Sequence, residues 1–278
     1  IAEGSMTVLD EIIEGVREDL QARKEQTSLS EIITRADSTR PALDVMEHFA
    51  TGAFGVIAEV KRSSPSKGAL AAINDPAELA RNYQAGGACA VSVLTEQRRF
   101  KGSLADLALV RSAVSIPVLR KEFIVDAYQI YEARAFGADI ILLIVAALND
   151  HELIEFSNLS HALGMKVLIE VHDAEEIIRV RELADKGDLG IDLLGINARN
   201  LKTLEINPNS FATLAPLIPP SVPLIAESGI STSEEVGALS AAGASGILVG
   251  EALVKDGNPT GTIQDFINRA ESERVRRL

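Results

Sequence analysis

"GVIAEVKRSSPSKG", residues 55–68, begins as a buried strand and then places Glu59 and Lys61 where apolar side chains would cost less. Side chains alternate faces along a strand, so these two charges share one side. Buried charge is costly unless it is paired or has chemistry to perform. A strand that ends this way belongs to a sheet whose strand ends form a site. The fold then depends on whether the unit recurs.

It does. Short apolar runs rich in β-branched residues lie at 55–60, 88–94, 117–121, 139–145, 166–171, 192–196, 223–226 and 245–249. Their starts are roughly 22 to 33 residues apart, about one strand-plus-helix unit. Amphipathic segments separate them. "DPAELARNYQAGG" has Asp75 placed as N-cap, Pro76 at the first helical position and Gly86-Gly87 as stop. "DAYQIYEARAFGAD" has Asp126 as cap and Gly137 as stop, and in "STSEEVGALSAAGAS" Ser231 and Glu234 have capping-box spacing. The strands are continuous apolar runs, as a parallel sheet covered on both faces requires. Eight such units fit a closed (β/α)8 TIM barrel, an α/β fold, better than an open doubly wound sheet. Neither G-x-G-x-x-G nor G-x-x-x-x-G-K-[ST] occurs. Residues 6–278 are therefore expected to form a single TIM-barrel domain, with an N-terminal helical extension over 6–54 and the barrel over 55–278. The helical period of "TVLDEIIEGVREDLQARKEQ" opens the extension, and "SLSEIITRAD" and "PALDVMEHFA" continue it. It is expected to cap the barrel bottom; the functional alternative has it bordering the mouth. Met6 reads as the natural start and 1–5 as an added remnant.

Composition bounds the function. The 278 residues are 46% hydrophobic and 24% charged, ordinary for a globular protein, and the net charge of −13 argues against nucleic acid or anionic membrane as partner. The lone cysteine, Cys89, excludes an internal disulfide framework. The longest apolar stretch, Ile140–Leu148, is too short to span a bilayer, and no secretory signal is read. A cytoplasmic, monomeric enzyme acting on a small molecule is expected.

Active sites of TIM barrels lie at the C-terminal strand ends, and polar residues gather there: Glu59 and Lys61 on the first strand, Arg120-Lys121-Glu122-Phe123 on the third, Glu170 on the fifth, Asn197 and Arg199 on the sixth, Glu227-Ser228-Gly229 on the seventh. "AESGI" and "LVGEAL" put glycine directly after the seventh and eighth strands. Glycine lets backbone N–H groups approach an anion, and these loops are the recurrent phosphate site of the fold. A phosphorylated substrate follows.

Together "VIAEVKRSSPSKG", "SVLTEQRRFKGS", "IPVLRKEFIVD", "GADIILLIVAAL", "LIEVHD", "GINARNLKTLEI", "AESGI" and "ILVGEAL" resemble the indole-3-glycerol phosphate synthase family, from about residue 6 to 255. The resemblance implies conversion of 1-(2-carboxyphenylamino)-1-deoxyribulose 5-phosphate to indole-3-glycerol phosphate, CO2 and water, without metal or organic cofactor. By the same resemblance Lys121 is the general acid and Glu170 the base of the dehydration. Lys61 contacts the substrate carboxylate and is a second acid, and Glu59 orients it. Asn197 and Arg199 hold sugar hydroxyls and anionic groups. Ser64, Glu227, Ser228, Gly229, Leu248, Gly250 and Glu251 fall at substrate and phosphate positions, and Phe100, Phe123 and Leu142 form the apolar wall. Glu251 departs from the serine expected of the family, and a carboxylate there would repel phosphate unless turned away.

The acidic chain must still attract an anion. Lys61, Arg62, Lys67, Arg98, Arg99, Lys101, Arg120, Lys121 and Arg199 all end or follow strands and would make the mouth locally positive. "TEQRRFKGS" reads as a mobile loop over it. "HELIE" (151–155) lacks the second histidine of a zinc hydrolase, and His48, His151, His161 and His172 show no ligand spacing and read as surface or capping residues. The glycosylation triplet at Asn158 falls in a helix. The rival readings are another phosphate-barrel isomerase or lyase, and a non-catalytic phosphate-binding module.

Overall fold

A computed structural model of the chain describes residues 6–66, 68–70 and 73–275. The expected remnant at 1–5 and Lys67 lie outside the described residues. Eight parallel strands close a barrel: β1 (Gly55–Val60), β2 (Ala90–Leu94), β3 (Val118–Lys121), β4 (Ile140–Ile144), β5 (Lys166–Val171), β6 (Leu193–Asn197), β7 (Leu224–Glu227) and β8 (Gly246–Val249). β1 pairs with β8 through Gly55↔Gly246 and with β2 through Ile57↔Ala90, which joins the two ends of the sheet. The strands match the apolar runs, trimmed at their ends where the chain leaves the ladder. A short antiparallel pairing of Ser63–Ser64 with Gly68–Ala69 adds a hairpin above β1 that periodicity did not reveal.

Strand parity builds two apolar layers. Ile57, Leu119, Leu142, Leu168 and Ile225 are buried inside the barrel, while Val56, Ala58, Val91 and Ile141 face the helices. Of the covering helices, α4 (Pro76–Ala85) starts where Asp75 accepts the Ala77 and Glu78 N–H groups, and Gly87 leaves it at φ +96°. α5 (Leu104–Ala113), α6 (Ala127–Ala135), α7 (Asp150–Ala162) and α8 (Ala174–Asp185) follow, with the short α9 (Ser210–Leu214) after β6. α10 (Ser233–Ala241) corrects the expected cap by one residue. "STSEE" contains two overlapping boxes, and Thr232 with Glu235 forms the one used: Glu235 N–H donates to the Thr232 hydroxyl, and the Glu235 carboxylate accepts the N–H groups of both Thr232 and Ser231. α11 (Glu251–Lys255) and α12 (Pro259–Val275) complete the ring.

The N-terminal extension serves both ends. α1 (Val8–Gln26) shares the interior apolar cluster through Leu9, Ile12 and Val16, and Ile12 reaches the cavity at the barrel mouth. α2 (Leu29–Asp37) packs on α6. Ahead of α3 (Met46–Ala50), Leu43 N–H donates to Asp139 and Asp44 pairs with Lys166, both at the starts of strands. The bottom cap is therefore the 43–50 segment, and α1 borders the mouth. No helix among the described residues is long and apolar enough to cross a membrane.

Candidate active site

The same parity that fills the barrel also builds its mouth. One step beyond the apolar layer, Ile57 is followed inward by Glu59, Leu119 by Lys121, Leu168 by Glu170, Gly195 by Asn197, Ile225 by Glu227 and Leu248 by Gly250. These groups floor a cavity of about 320 Å³. The cavity is also lined by Lys61, Ser64, Phe100, Phe123, Leu142, Arg199, Ser228, Gly229, Leu248 and Glu251, so the residues given catalytic and substrate-binding places by the resemblance border one space.

Glu59 is the hub of its positive side. Its Oε1 lies 3.3 Å from the Lys61 ammonium, and its Oε2 lies 3.5 Å from Lys121 and accepts the Ser92 hydroxyl at 2.9 Å. Burial alone would raise the Glu59 carboxyl, but Lys121, Lys61 and Ser92 outweigh it and hold it below the usual range. Lys121 also donates to Glu227 at 3.2 Å. Burial disfavours its charge, yet Glu59, Glu227 and Glu170 reverse the balance and raise it above an ordinary lysine. Lys121 is therefore a fully loaded ammonium at neutral pH.

The opposite wall holds two carboxyl groups in unlike surroundings. Asn197 donates to Glu170 Oε1 at 3.1 Å, and the His172 Nε2 lies 3.1 Å from that oxygen. Against a burial cost, His172, Lys121 and Asn197 drive Glu170 well below the normal carboxylate range. Glu227 goes the other way: burial and then the neighbouring Glu170 charge push it up, and its Oε1 is buried with no hydrogen-bond partner. Like charges side by side cannot both ionise cheaply, so the pair favours its proton on Glu227 over Glu170. Asn197 Oδ1 meanwhile accepts the Ser228 hydroxyl at 2.7 Å and the Arg199 N–H at 3.0 Å, which ties the ends of β6 and β7 together.

Several polar residues sit elsewhere than the sequence suggested. Arg120 does not reach the mouth. One residue before the inward Lys121 it points outward, buried against Glu132, Glu122 and the Thr95 hydroxyl. Arg62 pairs with Asp106. Arg98 is held by Asp19 and Glu18, and Arg99 by Glu11, all on α1. Among the described residues the cations lining the cavity are Lys61, Lys121, Arg199 and Lys255, the last missed from the sequence. His172 is neither surface nor cap but Glu170's neighbour.

The "TEQRRFKGS" loop is tied down. Buried Glu96 accepts the N–H groups of Arg98, Arg99 and Phe100 at 2.8–3.0 Å, and this turn directs Phe100 to its ring contact with Phe123, 6.2 Å between centroids. After β6 the chain folds back through an Arg199↔Ile206 bridge, and Leu201, Leu204 and Ile206 join the apolar lining. Ser228 and Gly229 both adopt positive φ, +67° and +73°, which turns their backbone across the cavity. Gly195 makes room for its neighbour: a Cβ there would lie 2.0 Å from Glu227 Oε1.

An acid–base cluster at the C-terminal strand ends of a TIM barrel defines a barrel enzyme. The solved structures of 3-hexulose-6-phosphate synthase from Salmonella typhimurium (TM-score 0.63, 14% identity, 79% of this chain and 100% of that one) and thiamine phosphate pyrophosphorylase from Pyrococcus furiosus (TM-score 0.57, 14% identity, 81% and 98%) share the fold. The family model for indole-3-glycerol phosphate synthase matches residues 9–266. Proteins of that name from Nocardioides sp. (54% identity, 93% of this chain and 97% of the relative), Mycolicibacterium gilvum (53%, 95% and 95%) and Rhodococcus jostii (52%, 95% and 96%) are close relatives. The chain belongs to the indole-3-glycerol phosphate synthase family, carboxy-lyases of tryptophan biosynthesis.

Proposed function

We propose that residues 6–278 act as one catalytic unit that closes the indole ring of 1-(2-carboxyphenylamino)-1-deoxyribulose 5-phosphate, with Lys121 as general acid and Glu170 as general base. The observation that carries this reading is the Lys121 ammonium held between Glu59 and Glu227 on the cavity floor, with the ionised Glu170 on the facing wall. A carbon of the aromatic ring attacks the ribulose ketone, and Lys121 protonates the oxygen as it becomes an alkoxide. The carboxyl group leaves as CO2, its electron pair returning to the ring. A hydroxyl then leaves as water, and Glu170 takes the proton released as the indole forms. Lys61 receives the substrate carboxylate and is a second proton source, and Glu59 spaces the two lysines. Phe100, Phe123, Leu142 and Leu248 enclose the aromatic ring and exclude water, with Ser64 at the rim. Every one of these groups comes from one chain, so a monomer suffices.

Phosphate recognition rests on backbone N–H groups at Gly229 and Gly250, where no side chain caps α11. Arg199, Lys255 and Asn197–Ser228 supply charge and hydrogen bonds. Arg199 also feels the Glu251 carboxylate, which borders the same cavity. A Cβ on Gly229 would meet Ile206 at 3.0 Å in a backbone region that disfavours side chains. Gly229→Ala is accordingly expected to raise KM while sparing kcat, and a phosphate-free analogue should bind the variant and the parent alike. Gly250 is a poorer probe of phosphate alone, because a Cβ there presses on Glu59 at 3.1 Å. Gly195→Ala should expel the Glu227 carboxyl from its place beside Lys121 and lower kcat on the order of tenfold, measured with thermal melting to establish that the barrel is intact.

The test is direct: fluorescence of indole-3-glycerol phosphate forming from the carboxyphenylamino-ribulose phosphate. Turnover that scales with enzyme supports the proposal. Tight binding without product would favour a phosphate-binding module.

A further inference from the structure

His172 has no part in the reaction as derived above, yet its ring lies between two carboxylates, hydrogen-bonded to Glu176 and ion-paired with Glu170. Nδ1 lies 3.1 Å from Glu176 Oε2, the oxygen that also accepts the His172 backbone N–H at 2.7 Å. Glu176 is itself fixed in the first turn of α8, where its N–H donates to Asp173. Glu176 thereby holds the imidazole with Nε2 3.1 Å from Glu170 Oε1, a charge contact without hydrogen-bond alignment, and the side chain is only 9% exposed. Asn197 meets the same oxygen from β6. Glu227 beside it has no such donor on Oε1.

We propose that His172 is a positioning residue: clamped by Glu176, it fixes the Glu170 carboxylate in place and decides that the proton shared by the Glu170–Glu227 pair resides on Glu227. The groups facing Glu170 are His172, Asn197, Lys121 and Glu227; those facing His172 are Glu170 and Glu176. Lys121 touches Glu227 directly, so without His172 the asymmetry of the pair weakens and the proton moves toward Glu170. The Glu170 carboxylate is then held less firmly, and the pH range in which it can accept a proton moves upward. Burial opposes charge on the imidazole, but Glu170 and Glu176 override it and raise His172 to about 10, so the ring carries both protons at neutral pH. The inference rests on the assignment of Glu170 as base.

Two measurements test it. Nitrogen NMR of the wild-type enzyme, with labelled histidine, should show His172 doubly protonated throughout the neutral range; a neutral ring there overturns the proposal whether or not any variant folds. Steady-state kinetics of His172→Gln and Glu176→Gln should show kcat reduced about tenfold and a smaller amount respectively, in line with the loss of groups that orient a reacting residue. KM should change little, and the acid limb of the kcat profile should move upward by about one pH unit in His172→Gln. The sign follows from Glu170: a base whose ionised form loses support needs higher pH to be ready. A folded His172→Gln with parental kcat and an unmoved acid limb contradicts the proposal, as does a uniform loss at every pH. Near-normal turnover in Glu170→Gln would instead remove the base assignment, while the state of the imidazole in the free enzyme would still stand on its own readout.

Discussion

Lys121→Ala is expected to lower kcat by ~10²-fold or more, since a positioned general acid contributes about 10²–10⁴-fold, and to leave the fold intact. The loss has two parts. The alkoxide no longer meets a proton donor, and Glu59 and Glu227 lose the cation between them. Glu59 keeps Lys61 and Ser92 as partners, and Glu227 is the member of its pair that favours a proton, so truncation leaves little unpaired charge buried in the barrel. Thermal melting should accordingly move little while turnover collapses. Lys121→Arg is expected to recover stability but not rate, because a guanidinium keeps its proton too firmly and is too broad for the gap between the two carboxyl groups. A folded Lys121→Ala enzyme with near-parental kcat would remove the assignment.

Glu170→Gln should be comparably severe for a different reason. The amide keeps the shape and its oxygen can still accept the Asn197 N–H, but it cannot take a proton. Binding of product analogues should survive within a few-fold, and overall turnover should fall by ~10²-fold or more. The pair of variants separates the proposed steps, Lys121 at ring closure and Glu170 afterwards.

Much of this was legible because the barrel strands are buried on both faces and read as unbroken apolar runs, so that each charge near a strand end stood out. Parity decided which of those charges matter. Glu59, Lys121, Glu170 and Glu227 follow inward apolar residues by two positions, whereas Arg120 is one step off and points to Glu132. That distinction was available in "VLRKEF", but grouping all polar residues at a strand end obscured it. His172 was legible by the argument that joined Glu59 to Lys61, since it lies two residues beyond Glu170. Its reading as a surface or capping residue follows from the lack of metal-ligand spacing, which is blind to strand parity. The overlapping boxes in "STSEE" could not be ranked from spacing alone. The contribution of Ile12, Leu201, Leu204 and Ile206 to the mouth was not readable, because it depends on how α1 and the loop after β6 fold back over the barrel. Neither leaves a local periodic signal. The pairing of Arg98 and Arg99 with α1 is long-range in the same way, and it turned two expected cavity cations into anchors of the Phe100 loop.

The division of labour between Lys121 and Glu170 is tested most directly by rapid-quench analysis of Glu170→Gln with substrate labelled in the departing carboxyl group. The account predicts that labelled CO2 appears ahead of indole-3-glycerol phosphate, with a decarboxylated intermediate accumulating between them. If CO2 and indole product slow together and in step, Glu170 acts at or before ring closure and the proposed order of proton transfers is wrong.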